Sequence, residues 1–208
     1  PIESIKVHKD STLAMLLAAQ RRSWRLSYME MADLVLDNEH PFGRMRELEV
    51  ADNPQQWYHL GAATREPLEA LQVILMRKDP PFDMEYVVAT YVLELAEERG
   101  CLVVNKPRSL RDANEKLFAL RFPQCCPPTL VSRIDGEIRA FHRQHQDIIV
   151  KPLDAMGGAS VFRVRANDPN LSVIIETLTD HGKRYAMVQR FIPEIRDGDK
   201  RILLVDGE

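Results

Sequence analysis

Apolar residues recur with helical spacing in several segments of this 208-residue chain. The clearest case follows Asn170, where Leu171, Ile174, Ile175 and Leu178 lie at i, i+3, i+4 and i+7 and predict an amphipathic helix. Similar patterns predict four more helices, over residues 11–22, 83–99, 114–122 and 135–145. The first has Asp10 and Ser11 as predicted N-terminal caps, and the second has Gly100 as its predicted C-terminal cap.

Short apolar runs between turn residues predict the strands. They cover residues 25–30, 46–50, 72–76, 101–104, 129–132, 147–151, 161–165, 185–189 and 201–205. Residues 46–50 alternate like an edge strand, and the rest of residues 37–67 is expected to be connection. The succession from 72–76 through a helix to 101–104 predicts a parallel α/β unit, whereas the strands after about residue 113 predict a smaller α+β unit with antiparallel pairing.

Composition and charge narrow the class of protein. The chain is 45% hydrophobic and 28% charged, which is typical of a globular protein with a real core. A net charge of −3 argues against nucleic acid or an acidic membrane surface as a partner. The three cysteines form no disulfide framework and no zinc-binding spacing, and no apolar run is long enough to span a bilayer. We therefore expect a soluble cytoplasmic protein without a metal site among these residues.

The run IIVKPLDAMGGASV, residues 148–161, carries the strongest chemical signal. Lys151 ends an apolar strand, and Gly157 and Gly158 supply backbone that can reach positive φ and approach phosphate oxygens. The lysine precedes the glycines, which excludes a Walker loop, and GxGxxG is absent. The segment predicts a polyphosphate site, and an ordinary hairpin beside a surface lysine is the alternative.

A second charged loop follows the predicted strand 72–76. Arg77, Lys78 and Asp79 lie between that strand and the next helix, at the carboxyl end where parallel sheets bind ligands. These three residues are therefore candidates for substrate contact. The alternative is a stiff surface loop with solvated charges.

Several segments together resemble the bacterial glutathione synthetase family of the ATP-grasp superfamily. They are KDSTLAMLLAAQ, YMEMADL, VILMRKDPPFD, NKPRSLRDANEKLF, IIVKPLDAMGGASVFRV, DPNLSVIIETLTDHG and IPEIRDGDKRILLVDGE. The resemblance implies an ATP-grasp fold of the α/β class with an α+β lid. It implies an N-terminal Rossmann-like domain over residues 1–112, a central lid domain over 113–188 and the start of a C-terminal domain over 189–208.

The family resemblance also implies a reaction. Family members join γ-glutamylcysteine to glycine in glutathione biosynthesis, with ATP converted to ADP and phosphate through an acyl phosphate. It implies ATP and Mg²⁺ as cofactors, with metal ligands expected beyond residue 208, and a homo-oligomer. Two alternatives stay open, namely another ATP-grasp carboxylate–amine ligase and a non-catalytic nucleotide-binding module.

The resemblance carries roles onto individual residues. Lys116 and Lys151 match lysines that contact ATP phosphates, and Arg201 matches a catalytic arginine near the transferred phosphate. The phosphate loop corresponds to Gly157, Gly158, Ala159 and Ser160. The adenine segment corresponds to Gln189, Arg190, Phe191 and Ile192, with Asp199 near the ribose. The γ-glutamylcysteine side is assigned to Lys9, Asp10, Ser11, Arg77, Lys78 and Asp79. A solvated helix lysine is the alternative for Lys116, a simple turn for Asp199, and a surface ion pair for Arg201.

Two departures from the family pattern matter. Ala155 stands where the family usually has glycine, and an alanine at positive φ would cost about 1 kcal/mol. Both ends of the chain are expected to be cuts, with roughly one further domain beyond the C-terminus. We therefore expect the 208-residue chain alone to bind ATP weakly and to be inactive.

Overall fold

The computed structural model describes residues 1–79, 81–200, 202–204 and 207. The chain divides into two compact units, unit 1 from Pro1 to Ala113 and unit 2 from Asn114 to Glu208. The predicted three-domain assignment, including a third domain from Gln189, remains a prediction. Within the described residues, no helix has the length and apolar character needed to cross a membrane.

Unit 1 contains three helices and six strands in its described part. In chain order they are α1 Ser11–Arg21, β1 Leu26–Tyr28, β2 Leu34–Asp37, β3 His40–Val50, β4 Tyr58–Pro67, β5 Val73–Leu75, α2 Met84–Glu98, β6 Leu102–Val104 and α3 Pro107–Asp112. Asp10 caps α1 by accepting a hydrogen bond from the Thr12 amide at 2.7 Å. Asp83 caps α2 in the same way, and Gly100 follows α2 at φ +99°. The predictions of Asp10 before α1 and Gly100 after α2 are confirmed, whereas Ser11 is the first residue of α1 and not its cap.

The antiparallel sheet of unit 1 corrects one prediction. β3 lies at its centre, paired with β1 and β2 along one edge and with β4 along the other. The predicted strand over 46–50 is confirmed as part of β3, but its predicted edge position is wrong. The predicted connection over the rest of 37–67 is wrong where β3 and β4 occupy it, and holds for residues 51–57. A register shift between Arg46 and Leu48 interrupts the alternation of buried positions, and most of β4 is exposed, so neither strand has a regular apolar pattern.

The predicted parallel unit is confirmed in unit 1. β5 and β6 pair in parallel, with Val73 opposite Leu102 and Leu75 opposite Val104. Ile74 and Val103 point into a core that α2 covers with Leu93, and these side chains are almost fully buried. The alternate positions of both strands remain half exposed, so only one face of this two-stranded sheet is covered.

Unit 2 is built on a four-stranded antiparallel sheet with two helices. Its elements are β7 Thr129–Ser132, α4 Asp135–His145, β8 Ile148–Pro152, β9 Phe162–Val164, α5 Leu171–Thr179 and β10 Ala186–Arg190. The strand order is β7-β10-β8-β9, so β10 and β8 are central. The predicted hairpin across the glycine loop is confirmed by the antiparallel pairing of β8 with β9.

The predicted helix over residues 114–122 is wrong. The segment forms turns and a short 3-10 helix at Phe118–Arg121, followed by another at Pro123–Cys125. The side-chain oxygen of Asn114 accepts hydrogen bonds from the amides of Lys116 and Leu117, each at 3.0 Å. The Asn114 side chain thus caps one helical turn, in which the Phe118 amide donates to the Asn114 carbonyl at 2.7 Å. The segment then tightens into the 3-10 helix, and Pro123 prevents a longer α-helix.

The two faces of the unit 2 sheet differ. One face packs against α4 and α5 through Ile148 and Val150 of β8, Val164 of β9, and Ala186 and Val188 of β10, all fully buried. Because side chains alternate along a strand, the intervening residues lie on the opposite face, which we call the open face. It carries Ile149, Lys151, Arg163, Met187 and Gln189.

The chain after β10 forms a 3-10 helix at Pro193–Asp197. The predicted strand over 201–205 falls partly outside the described residues, because Arg201 and Val205 are not among them. The described residues Ile202, Leu203 and Leu204 form no strand and are highly exposed.

Candidate nucleotide-binding site

A cavity of about 270 Å³ lies in unit 2 beside the glycine loop. It is lined by Glu115, Lys116, Lys151, Pro152, Ala155, Met156, Gly157, Gly158, Ala159 and Val161. Two lysines, two glycines and Ala159 from the predicted phosphate site therefore line one cavity. Ser160 follows directly in the chain but is not among the lining residues.

Lys151 reaches the cavity from β8. Its backbone is paired with Met187 of β10, and its side chain is on the open face, half-buried. Burial lowers the pKa of the Lys151 ammonium from its usual 10.5, the nearby charge of Lys116 lowers it further, and Cys126 acts in the opposite direction. A half-buried cation without an acidic partner among the described residues favours an anionic ligand.

Lys116 is held against the loop. Its Nζ donates to the carbonyl oxygen of Ala155 at 2.7 Å and of Leu153 at 3.2 Å, and it lies 3.0 Å from Glu115 Oε1. Its side chain is only 16% exposed. The alternative of a solvated helix lysine is therefore wrong, because Lys116 lies in a turn and its ammonium bonds to two loop carbonyls.

The loop uses positive φ where glycine permits it. Gly157 has φ +67° and Gly158 has φ +79°, and Ser160 also lies in the left-handed region at φ +56°. Ala155 is not among the described residues with positive φ. The strain considered for an alanine at this position is therefore absent, and the carbonyl of Ala155 serves instead as an acceptor for Lys116.

The predicted adenine segment leaves the sheet at one end of the open face. Gln189 donates through Nε2 to Thr129 Oγ1 at 3.0 Å, and the amides of Arg190 and Phe191 bond to the carbonyls of Pro128 and Asp147. Ile192 is next, and its amide donates no hydrogen bond to any described residue. An exposed free amide directly after the sheet can donate to a planar heterocycle.

The structure adds little about two further residues of unit 2 whose roles the family resemblance implies. Asp199 is exposed, and its side chain has no partner within the described ranges. Arg201, the proposed catalytic residue, lies outside the described residues. Their roles remain predictions.

The predicted γ-glutamylcysteine residues belong to unit 1. Arg77 donates from Nε to Thr12 Oγ1 at 3.2 Å and from Nη2 to Ser11 Oγ at 3.1 Å, which brings the charged loop to the start of α1. Hydrogen bonding from Thr12 holds the pKa of the Asp10 carboxyl below its usual value, and Arg77 acts in the same direction. Asp10, Ser11 and Arg77 are thus brought together.

The remaining three candidates of unit 1 are less organised. Lys78 bonds to the carbonyl oxygen of its neighbour Asp79, and both residues are exposed. Lys9 is also exposed, without a side-chain partner in the part of the chain described. Nothing in their surroundings assigns them a ligand.

No group of three or more histidine, cysteine, aspartate or glutamate side chains that could hold a metal ion occurs among the described residues. The cavity contains one carboxylate, Glu115, which already lies beside Lys116. The residues of this site fit a polyphosphate but provide no set of metal ligands.

The prediction from sequence missed Asp147 and Arg163. Arg163 Nε and Nη2 donate to the two carboxylate oxygens of Asp147 at 2.9 and 2.7 Å, at the same end of the open face as Phe191. Residues 147, 149 and 151 have the same parity along β8, so this alternation could have placed Asp147 on the face of Lys151. The partner in β9 required the strand register.

Comparison with known proteins gives a consistent result over both units. Residues 1–111 match the family model for the N-terminal domain of prokaryotic glutathione synthetase, and residues 115–208 match that for its ATP-grasp domain. All 208 residues align with glutathione synthetases of Photorhabdus laumondii, Shewanella oneidensis and Pseudomonas aeruginosa at 59%, 60% and 59% identity. The chain spans 66% of the length of each of these relatives.

Solved structures resemble the chain in fold. The D-alanyl-alanine synthetase A of Vibrio cholerae matches with a TM-score of 0.54 and 14% identity, over 86% of this chain and 54% of that protein. At this identity the likeness concerns the fold alone.

Proposed function

Because this chain belongs to the prokaryotic glutathione synthetase family, we propose that the full-length protein is an ATP-dependent ligase that joins γ-glutamylcysteine to glycine. The products are glutathione, ADP and phosphate. The family membership and the mixed α/β architecture agree with the ATP-grasp fold expected from the sequence.

The observation that carries the proposal is the convergence of Lys116, Lys151 and the glycine loop on one cavity. Lys151 would donate directly to a phosphate oxygen, and Lys116 would exchange its contact with Glu115 for one. A charged donor contributes about 1.5–3 kcal/mol for each such hydrogen bond. The loop amides beside Gly157 and Gly158 would add neutral donors. Bound ATP supplies the phosphoryl group that activates a carboxylate for attack by an amine.

The open face of unit 2 would hold the rest of the nucleotide. Lys151 and Asp147 are four positions apart along β8, or about 13 Å at the usual rise of a strand. The face therefore runs from the phosphate cavity to Phe191 and Ile192, where the free amide of Ile192 would donate to the adenine ring. Arg201 is proposed to act at the transferred phosphate, and Asp199 near the ribose.

The residues proposed to bind γ-glutamylcysteine all belong to unit 1. Ser11 and Arg77 lie together at the capped start of α1, and we propose that they bind γ-glutamylcysteine together with Lys9, Asp10, Lys78 and Asp79. Mg²⁺ as cofactor, a homo-oligomeric state and a cytoplasmic location are proposed from the family membership alone.

The test is phosphate release by the full-length protein with ATP, γ-glutamylcysteine and glycine, each omitted in turn. We expect release only when all three are present, and loss of release in Lys151→Met but not in Lys183→Met. Lys183 is an exposed lysine of the same unit and is the matched control. Release that requires a different amine would replace the proposal with another carboxylate–amine ligase. ATP binding without release under any combination would indicate a non-catalytic nucleotide-binding module.

A further inference from the structure

Arg163 and Asp147 form a bidentate ion pair on the open face of unit 2. The two bonds, Nε to Oδ1 at 2.9 Å and Nη2 to Oδ2 at 2.7 Å, engage both carboxylate oxygens. Arg163 lies in β9 opposite Ile149, and Asp147 directly precedes β8. Each side chain is 37% exposed, so the pair is at the surface but held in one geometry by two bonds.

The same pair holds Phe191 at two points. The guanidinium carbon of Arg163 lies 3.5 Å from the centroid of the Phe191 ring, which is a close cation–π contact. The Phe191 amide donates to the carbonyl oxygen of Asp147 at 2.9 Å. The Arg163 side chain therefore holds the ring of Phe191, and the backbone carbonyl of Asp147 holds its amide.

Phe191 is the last residue tied to the sheet before the free amide of Ile192. The carbonyl of Ile192 accepts from the Ile195 amide at 3.2 Å, so the chain turns immediately after it. The direction of the Ile192 amide consequently depends on the plane of the Phe191–Ile192 peptide. The Asp147 carbonyl fixes the preceding Arg190–Phe191 peptide, and Arg163 fixes the Phe191 ring. Together they restrict the Phe191 Cα from which the Phe191–Ile192 peptide continues.

We propose that Arg163, held by Asp147, is a positioning residue that orients the Phe191–Ile192 peptide for recognition of the nucleotide base. The inference rests on the proposed function, because it takes the ligand of this face to be ATP. Arg163 acts through Phe191 and belongs to the base end of the site, whereas Lys116 and Lys151 belong to the phosphate end.

The hydrogen bond from Arg163 holds the pKa of the Asp147 carboxyl below its usual value. The pair therefore stays ionised across the neutral range, and the positioning does not depend on pH there. Lysine at position 163 would keep the charge but lose the fork that engages both oxygens, so it would restore the function only in part.

The test measures the dissociation constants of ATP and of inorganic tripolyphosphate for the full-length protein. We expect Arg163→Gln to weaken ATP binding about tenfold and to change tripolyphosphate binding less than about twofold, because only ATP has a base. Arg163→Lys is expected to weaken ATP binding less than Arg163→Gln does. Arg139→Gln is the matched control, since Arg139 Nε donates to both carboxylate oxygens of Asp135 on α4, away from the open face, and we expect it to change neither constant.

A readout without nucleotide keeps the inference testable by itself. Amide hydrogen exchange at Phe191 should accelerate in Arg163→Gln and in Asp147→Asn, with the urea midpoint close to that of the unchanged protein. Equal weakening of ATP and tripolyphosphate, unchanged ATP binding, or unchanged exchange at Phe191 would each overturn the positioning role.

The result that would contradict the proposed function differs from the one that would contradict the positioning role. A protein that binds ATP in an Arg163-dependent manner but releases no phosphate with γ-glutamylcysteine and glycine would contradict the ligase and support the positioning role. A protein that binds tripolyphosphate as tightly as ATP would overturn the positioning role, because the base would then contribute nothing.

Discussion

We expect the two cavity lysines, Lys116 and Lys151, to contribute differently to the free energy of unfolding. Replacing each by methionine tests this. Lys151 is half-buried without an acidic partner among the described residues, so the fold disfavours its charge. Lys116 donates to the carbonyls of Leu153 and Ala155, so its charged form stabilises the folded state. Methionine preserves most of the length of either side chain and removes the ammonium.

The magnitudes follow from these contacts. Loss of one charged hydrogen bond to phosphate, about 1.5–3 kcal/mol, should raise the dissociation constant of ATP about 10- to 150-fold in either variant. Without nucleotide, Lys151→Met should leave the free energy of unfolding unchanged or higher. Lys116→Met should lower it by about 1–3 kcal/mol, because two loop carbonyls lose their donor.

The assay combines urea unfolding of the nucleotide-free protein with calorimetric titration of ATP, and Lys183→Met serves as the control. A fall of more than about 1 kcal/mol in the unfolding free energy of Lys151→Met would show that Lys151 stabilises the fold and refute our assignment. An ATP dissociation constant that changes less than about threefold would refute the phosphate contact.

Four further outcomes are expected. Asp83→Ala should lower the free energy of unfolding by about 1 kcal/mol in urea denaturation, because it removes the cap of α2; an unchanged midpoint would contradict this. Gly157→Ala should lower it by about 1–2 kcal/mol through backbone strain at φ +67°, since no atom lies within 4 Å of the added Cβ. Ala155→Gly should not tighten ATP binding in the same titration, because Ala155 is not in the left-handed region, and tighter binding would contradict that geometry. The lowered pKa of Lys151 means that the unfolded chain holds more protons just below pH 10.5, so the nucleotide-free protein should gain stability as pH rises through that window, and Lys151→Met should abolish the gain in urea titrations.

Local sequence patterns predicted a helix or strand correctly wherever the segment itself carried a cap, a turn residue or a regular apolar spacing. The helix α4 runs from Asp135 to His145, as predicted, and α2 covers Met84–Glu98, within one residue of the predicted range 83–99 at each end. The hairpin of β8 and β9 was also predicted, because an apolar run on each side of a glycine loop leaves few alternatives. The family membership, too, was already evident in the motifs.

Local patterns failed where neighbours outside the segment decide the structure. β4 exposes most of its side chains and is held by hydrogen bonds to β3, so its sequence has no apolar alternation. Residues 114–122 are helix-forming and Asn114 caps their first turn, yet the segment tightens into the 3-10 helix Phe118–Arg121 before Pro123. Propensity is a weak guide to such short segments.

The sequence by itself determined Lys151 and the glycine loop of the candidate site from their spacing, which is local. It indicated Lys116 and residues 189–192 only through the family resemblance. Only the tertiary structure decided that Lys116 bonds to Ala155, 39 positions away, and that Arg163 joins Asp147 to Phe191. Such contacts depend on strand register and burial, which are set by pairing between distant segments and cannot be read from the side chains of one segment alone.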